Sequence, residues 1–396
     1  MNNNLKILVE KIDFNKVLSV PIWGTLDDKS HFKKNTSLYL EVLRIIVRVV
    51  YKSIFTVPIT KKLLHDDEIC FYLRTYSRSD LDEHSEKFEQ SCDGTTTCII
   101  EKRKMTLDFK TIFLCFIVLW RTKKKWYSEL KSAEVSLCSV EGLKLFFTLF
   151  DSLSDFLKIM PDMVRHSKLV SFQEMVPVEN IACQFANAIG IPTFALQHAL
   201  GAYSETGSYE SRYSRVHYVA SVSSKILAWG EYTKKTFERF TDSEVFLIGK
   251  PVLPKIDGFA EGVTFIFEAD DQINDKLLGL ADGVRQLGIE VSYWFRPGHK
   301  LVRNGVVRDG PLRRVIIGWR SSLLVELGYM GGNVFVIPDS VFCENLPSEL
   351  VVDNAGKIYK ECLSLESYPN DVWKGFIECT GEESIEKYKF ILHQYH

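Results

Sequence analysis

Apolar positions along this chain recur in two patterns. From Leu38 to Ile54, the residues Leu40, Leu43, Ile46, Val47 and Val50 follow helical spacing with Arg44, Arg48 and Lys52 interleaved, which predicts an amphipathic helix. Val140 to Met160 carries a denser version (Leu143, Leu145, Phe146, Leu149, Phe150, Leu153, Phe156, Leu157) and predicts a long core helix. Short apolar runs bounded by turn residues predict strands at Leu5 to Val9, Ile69 to Leu73, Leu169 to Phe172, Thr193 to Leu196, Lys225 to Gly230 and Val245 to Ile248. Further strands are expected at Val263 to Phe267, Ile289 to Phe295, Ile316-Ile317 and Val334 to Ile337, separated by helical segments. Asp80 to Thr97 is polar and reads as an exposed loop or insertion, Ala202 to Tyr218 as a mobile loop, and Tyr368 to His396 as a helical tail.

Two stretches fix the order of these elements. Leu169 to Gly201 reads strand, helix (Val178 to Ala188, with Ile181, Ala182, Phe185 and Ala188 on one face), Gly190, then a strand opened by Pro192 and ending in Gln197-His198. That is a βαβ unit. Val315 to Pro338 reads strand, turn, short helix from Leu323 to Met330, a Gly331-Gly332 break and a second strand. Ser321 and Ser322 stand where a helix N-cap belongs, at the C-terminal end of a parallel strand. Alternating strands and helices on both sides of Gly249-Lys250-Pro251 predict an α/β chain of two Rossmann-like domains: residues 1–248, residues 249–370, and a C-terminal helix within 371–396 that packs back on the first. No GxGxxG follows the first strand candidate, which argues against a dinucleotide fold at the N-terminus.

Composition narrows the classes. At 396 residues, 46% hydrophobic and 25% charged, the chain suits two globular domains, and a net charge of −2 gives no basic field for nucleic acid. Nine cysteines without a CxxC pair, and no leader pattern, suggest reduced thiols and a cytoplasmic setting. The longest apolar run, Thr111 to Trp120, falls short of the roughly 20 residues that span a bilayer. Arg121-Thr122-Lys123-Lys124-Lys125 follows it, either as a solvated basic turn or as a patch resting on the anionic inner face of a membrane.

The candidate chemistry gathers at strand ends. A helix start at Ser321-Ser322, with Arg320, Arg296 and His299, suits a phosphate group. Taken singly, the serines read as a cap, Arg320 as a surface residue and His299 as a loop histidine. Glu174 and His198 each lie just past a strand and are the candidate general bases, against readings as a helix-start acid and a turn histidine. Glu179 reads as first-turn helix charge, Glu205 and Glu210 as loop acids, and Tyr203, Tyr209 and Tyr213 as loop tyrosines able to stack on sugar rings. His and Cys never reach metal-site spacing, Asp27-Asp28 and Asp270-Asp271 read as solvated pairs, and no cofactor or metal is expected.

Residues 165–340 resemble a bacterial glycosyltransferase of the GT-B architecture, of the kind that builds capsule or lipopolysaccharide. The resemblance rests on LQHALG at 196–201, AWGEYTKKTF with VFLIGKP up to Pro251, Arg296-Pro297-Gly298-His299, and GWRSSLLVELGYMGG at 318–332. Sialyltransferases and Kdo transferases of this architecture carry a His-Pro and a Ser-Ser motif for a CMP-sugar. Here the Ser-Ser match is Ser321-Ser322, while Arg296 to His299 changes the His-Pro order and Ala199 replaces a glycine of the LQHG turn. The resemblance implies two domains facing across a cleft and metal-independent transfer. The donor is then a nucleotide sugar, and the acceptor a glycan or lipid-linked glycan. Glu326 would hold the ribose hydroxyls, and Lys250 would lie at the donor. A CDP-glycerol or CDP-ribitol phosphotransferase, a UDP-sugar transferase, a UDP-GlcNAc 2-epimerase-like isomerase and a non-catalytic glycan-binding protein remain open alternatives.

Overall fold

The computed structural model describes residues 3–27, 38–62, 70–75, 79–91, 95–105, 108–137, 139–172, 174–197, 218–267, 271–295, 308–338, 340, 342–364 and 371–395. The first part runs α1 (Asn3–Lys11), α2 (Phe14–Asp27), α3 (Leu38–Phe55), β1 (Thr56–Lys62), β2 (Cys70–Arg74), α4 (Ser79–Ser91), β3 (Thr95–Met105), α5 (Phe109–Ser132) and α6 (Val140–Met163). It continues through β4 (Lys168–Ser171), α7 (Pro177–Ala188), β5 (Thr193–Leu196), β6 (Lys225–Ala228), α8 (Glu231–Phe240) and β7 (Glu244–Leu247). The second part holds β8 (Ala260–Phe267), α9 (Asp271–Gln286), β9 (Val291–Phe295), β10 (Arg308–Asp309), β11 (Arg313–Gly318), α10 (Ser322–Tyr329), β12 (Asn333–Val336) and α11 (Ala355–Leu363). Helices α12 (Asp371–Lys374) and α13 (Gly381–Gln394) close the chain.

Two sheets result. The first has the order β1-β3-β2-β4-β5-β6-β7, parallel except for β1, and the second the order β10-β9-β8-β11-β12, parallel except for β10. This is the α/β class expected from the sequence, with two Rossmann-like sheets. Parallel strands need both faces covered, and alternation along β2 shows how. Phe71 and Leu73 face a core shared with Phe156 of α6 and Phe185 of α7, whereas Cys70 and Tyr72 face one shared with Phe88, Phe172, Tyr388, Ile391 and Leu392. Tyr388, Ile391 and Leu392 belong to α13, so the C-terminal helix lies on the first sheet, and the buried Lys168 at the start of β4 donates to the Leu392 carbonyl.

Three expectations are corrected. Leu5 to Val9 is helix, not strand: it lies within α1, where Leu8 is buried and the helix packs on α5 and α7. Five apolar-rich residues carry too few turns to separate the two periods. Asp80 to Thr97 is not an exposed loop: it holds α4 and the start of β3, whose Thr95, Thr96 and Thr97 are buried. Apart from Phe88, the inward face of α4 is polar, with Ser85 2.9 Å from the Tyr72 hydroxyl and 2.7 Å from Arg74, and His84 3.2 Å from the Tyr388 hydroxyl. A hydrophobic pattern cannot reveal a face that is buried through hydrogen bonds. Thr111 to Trp120 does not end in a basic turn either: α5 runs unbroken through Arg121 to Lys125, capped at its start by Asp108, which accepts from the Thr111 N–H at 3.0 Å.

Candidate functional site

Buried polar side chains stand just past the C-terminal ends of β4 and β5. Glu174 follows β4 and is 2% exposed. One oxygen accepts from the Ser221 hydroxyl, and the other accepts from the Val222 N–H at 3.1 Å and the Ser223 N–H at 2.6 Å. A carboxylate so enclosed anchors the 221–223 segment ahead of β6. Glu174→Ala is expected to lower the unfolding free energy by about 2 kcal/mol or more, the worth of hydrogen bonds to a charged group, as read by urea denaturation. Glu179 lies in the first turn of α7, as the sequence predicts, and is also fully buried, one oxygen accepting from the Thr75 N–H and hydroxyl at 2.8 Å each and the other from the Ser171 hydroxyl at 2.6 Å. It ties α7 to the ends of β2 and β4.

Gln197 follows β5 and is 6% exposed. Its side-chain carbonyl accepts from the Trp229 N–H at 2.6 Å, and its amide donates to the Thr233 hydroxyl at 3.2 Å. These bonds lock the ends of β5 and β6 together. Trp229 is 1% exposed, and its indole N–H has no hydrogen-bond partner among the described residues. The Lys250 ammonium lies 4.7 Å from the Trp229 ring centroid, a cation–π distance, and forms an ion pair with the Glu326 carboxylate. Lys250 follows β7 of the first sheet, and Glu326 lies on α10, directly after β11 of the second. The pair therefore joins the C-terminal edges of the two sheets. Both side chains are nearly buried, at 13% and 10% exposure.

Segment 371–380 braces this junction. Tyr232 donates its N–H to the Gly375 carbonyl at 3.0 Å, Glu378 to that of Trp229 at 2.8 Å, and Lys250 to that of Cys379 at 2.9 Å. Gly249 sits at φ +74°, where any Cβ would collide with the Cys379 carbonyl. The Gly249-Lys250 turn thus requires glycine for its backbone conformation and for its close approach to this segment.

At the start of α10 the two serines differ. Ser321 is the N-cap, 3% exposed, and its hydroxyl accepts from the Leu323 N–H at 3.3 Å. Ser322 is the first helical residue and half-buried. Ser321→Ala is expected to cost about 1 kcal/mol of stability, the usual worth of a serine cap, measurable by denaturation. Arg320 is half-buried, with its guanidinium carbon 4.7 Å from the Trp319 ring centroid. His198, Arg296, His299, Tyr203, Glu205, Tyr209, Glu210 and Tyr213 lie outside the described residues, as do Asp28 and Asp270. Of the residues singled out in the sequence, the structure thus brings Lys250 to Glu326, and places Ser321 and Ser322 at the head of the same helix as Glu326. Glu174 is separately engaged.

One cavity escaped the sequence reading. It measures about 940 Å³ and lies between α3, α6, β3 and the start of α7. Asp155 inside it is 2% exposed, paired to Arg103 at 2.5 Å and Lys52 at 3.1 Å, while Lys52 also pairs with Asp151. One oxygen of each aspartate is buried with no partner among the described residues. Burial, then the neighbouring Asp155, pushes the Asp151 carboxyl above the usual range, with Lys52 opposing. Asp151 and Asp155 lie one turn apart on α6, and that spacing was the signal available. Among the described residues no group of three or more His, Cys, Asp or Glu could hold a metal ion.

No family model matches the chain, and no curated protein does. Solved structures with a similar course include a glycotransferase of kitacinnamycin, at 10% identity and TM-score 0.44, covering 84% of this chain and 100% of that one. A putative UDP-N-acetylglucosamine 2-epimerase from Listeria monocytogenes follows at 8% identity and TM-score 0.42, covering 82% of this chain and 91% of the other. A trehalose-6-phosphate synthase matches at 8% identity and TM-score 0.40, with 83% and 96% covered. The substrates in these names belong to those proteins.

Proposed function

We propose that this chain is a GT-B glycosyltransferase that uses a nucleotide-activated sugar. The observation that carries the reading is the meeting of two parallel-sheet edges at the Lys250–Glu326 pair, one turn along the helix that starts at Ser321-Ser322. Ligands of open α/β sheets bind at strand C-termini, and here two such edges converge. The positive end of α10, the Ser322 hydroxyl and Lys250 supply the charge and donors that a leaving phosphate needs as it develops negative charge. The buried indole N–H of Trp229 beside Lys250 offers a further donor.

In this reading residues 249–370 hold the donor and residues 1–248 the acceptor, a glycan. His198 is the base, since Gln197 before it is fixed at the end of β5 by Trp229 and Thr233. The donor is CMP-activated, of the Kdo or sialic acid class, on the Ser-Ser resemblance at 321–322. Release of free nucleotide from CMP-Kdo, CMP-sialic acid and UDP-N-acetylglucosamine tests it. Turnover of a CMP-sugar that drops at least about tenfold in His198→Ala, with donor affinity kept, supports both donor and base. Turnover of the UDP-sugar alone replaces the donor, and loss of binding rather than turnover in His198→Ala removes the base.

A further inference from the structure

Helix α5 presents an apolar face to solvent. Phe109, Phe113, Phe116, Trp120 and Tyr127 are 61%, 66%, 56%, 72% and 48% exposed. At about 100° per residue these five positions fall on one narrow stripe of the helix. The opposite side, with Thr111, Cys115, Val118, Thr122 and Trp126, is buried. Helix α3 adds Leu43, Val47, Tyr51 and Phe55, spaced four apart and 55%, 59%, 50% and 37% exposed. The two stripes join end to end. The Tyr51 hydroxyl lies 3.5 Å from the sulfur of Met105, itself 68% exposed, and the Asp108 N–H donates to the Ile54 carbonyl at 3.0 Å. Isolated exposed apolar residues are ordinary, but nine on two adjoining helices, with Met105 of β3 between them, form a contiguous patch that marks an interaction site.

The charge around the patch selects the partner. Between Lys102 and Trp126 the chain carries eight cations (Lys102, Arg103, Lys104, Lys110, Arg121, Lys123, Lys124, Lys125) and one acid, Asp108, which caps α5. This local excess stands in a chain whose net charge is −2. Arg103 is turned inward to Asp155, and Lys125 to the Val9 and Glu10 carbonyls. Lys123 and Lys124 flank the apolar stripe, and the Lys123 ammonium lies 4.4 Å from the Trp120 ring centroid. Aromatic side chains that enter the headgroup layer, with cations beside them, are what an anionic bilayer surface binds. No described helix is long and apolar enough to cross a membrane, so the contact would be interfacial.

We infer that the α3–α5 face docks this protein onto an anionic lipid surface. The inference does not rest on the proposed transfer activity. Its test is flotation of the full chain with vesicles of phosphatidylcholine alone and of phosphatidylcholine mixed with phosphatidylglycerol. Binding is expected to the mixed vesicles, to fall with salt, and to drop at least about tenfold in Phe113→Ser/Trp120→Ser, which removes the inserting rings, and in Lys123→Glu/Lys124→Glu, which reverses the charges beside them. These positions are exposed, so far-ultraviolet circular dichroism and nucleotide binding should match the parent. Absence of binding to the mixed vesicles, or binding unchanged in both double variants, overturns the inference. So does a concentration-dependent dimer that Phe113→Ser/Trp120→Ser disperses without any vesicle binding, which would assign the face to a second copy of the chain.

Discussion

Lys250→Ala is expected to destabilise the protein by about 3–5 kcal/mol, because it leaves the nearly buried Glu326 carboxylate without its counter-charge. It also removes the cation stacked over Trp229 at the junction of the two sheets. The denaturation midpoint should fall accordingly. Stability and binding can be separated with the paired change Lys250→Met/Glu326→Gln. That variant removes both charges and keeps most of the volume, and it should recover most of the lost stability, since a buried pair is often replaceable by neutral side chains. If Lys250 serves the leaving phosphate, nucleotide affinity should stay at least about tenfold below the parent despite that recovery. Recovery of both would make the pair a structural clasp alone.

Gly249→Ala is the second large effect. The left-handed backbone costs an alanine about 1–2 kcal/mol, and the Cβ would have to displace the Cys379 carbonyl that receives the Lys250 N–H. Together about 3 kcal/mol or more is expected, with faster proteolysis in the 371–380 segment that the turn holds. An alanine at Gly258, also at positive φ but with open space around it, should cost only the backbone share. Equal losses at both positions would show that the close approach to Cys379 contributes nothing.

These residues show what the sequence discloses. The βαβ unit at β4-α7-β5 was legible because Pro, Gly and short apolar runs punctuate it, and the turn at β11-α10-β12 for the same reasons. Helix α4 was not, because its inward residues His84 and Ser85 are polar and are satisfied by partners far along the chain. The edge strand β1 ends in Lys61-Lys62, and the second half of β3 is charged and largely exposed, so neither stood out as a strand. At the candidate site, residue types were legible and partnerships were not. Nothing in the sequence pairs Lys250 with Glu326, or distinguishes the capping Ser321 from Ser322. Glu174 and Glu179 looked alike as acids near one helix start. The fold buries both and uses them as anchors, one for the 221–223 segment and one for Thr75 and Ser171.

The most direct test of the account is calorimetric titration of CMP, CDP and UDP into the parent protein, Ser322→Ala and Lys250→Met/Glu326→Gln. Saturable binding of a cytidine nucleotide to the parent, weakened at least about tenfold in both variants, is the predicted result, each lost charge-assisted contact being worth about 1.5 kcal/mol or more. Failure of all three nucleotides to bind the parent, or equal binding by the parent and both variants, would contradict it.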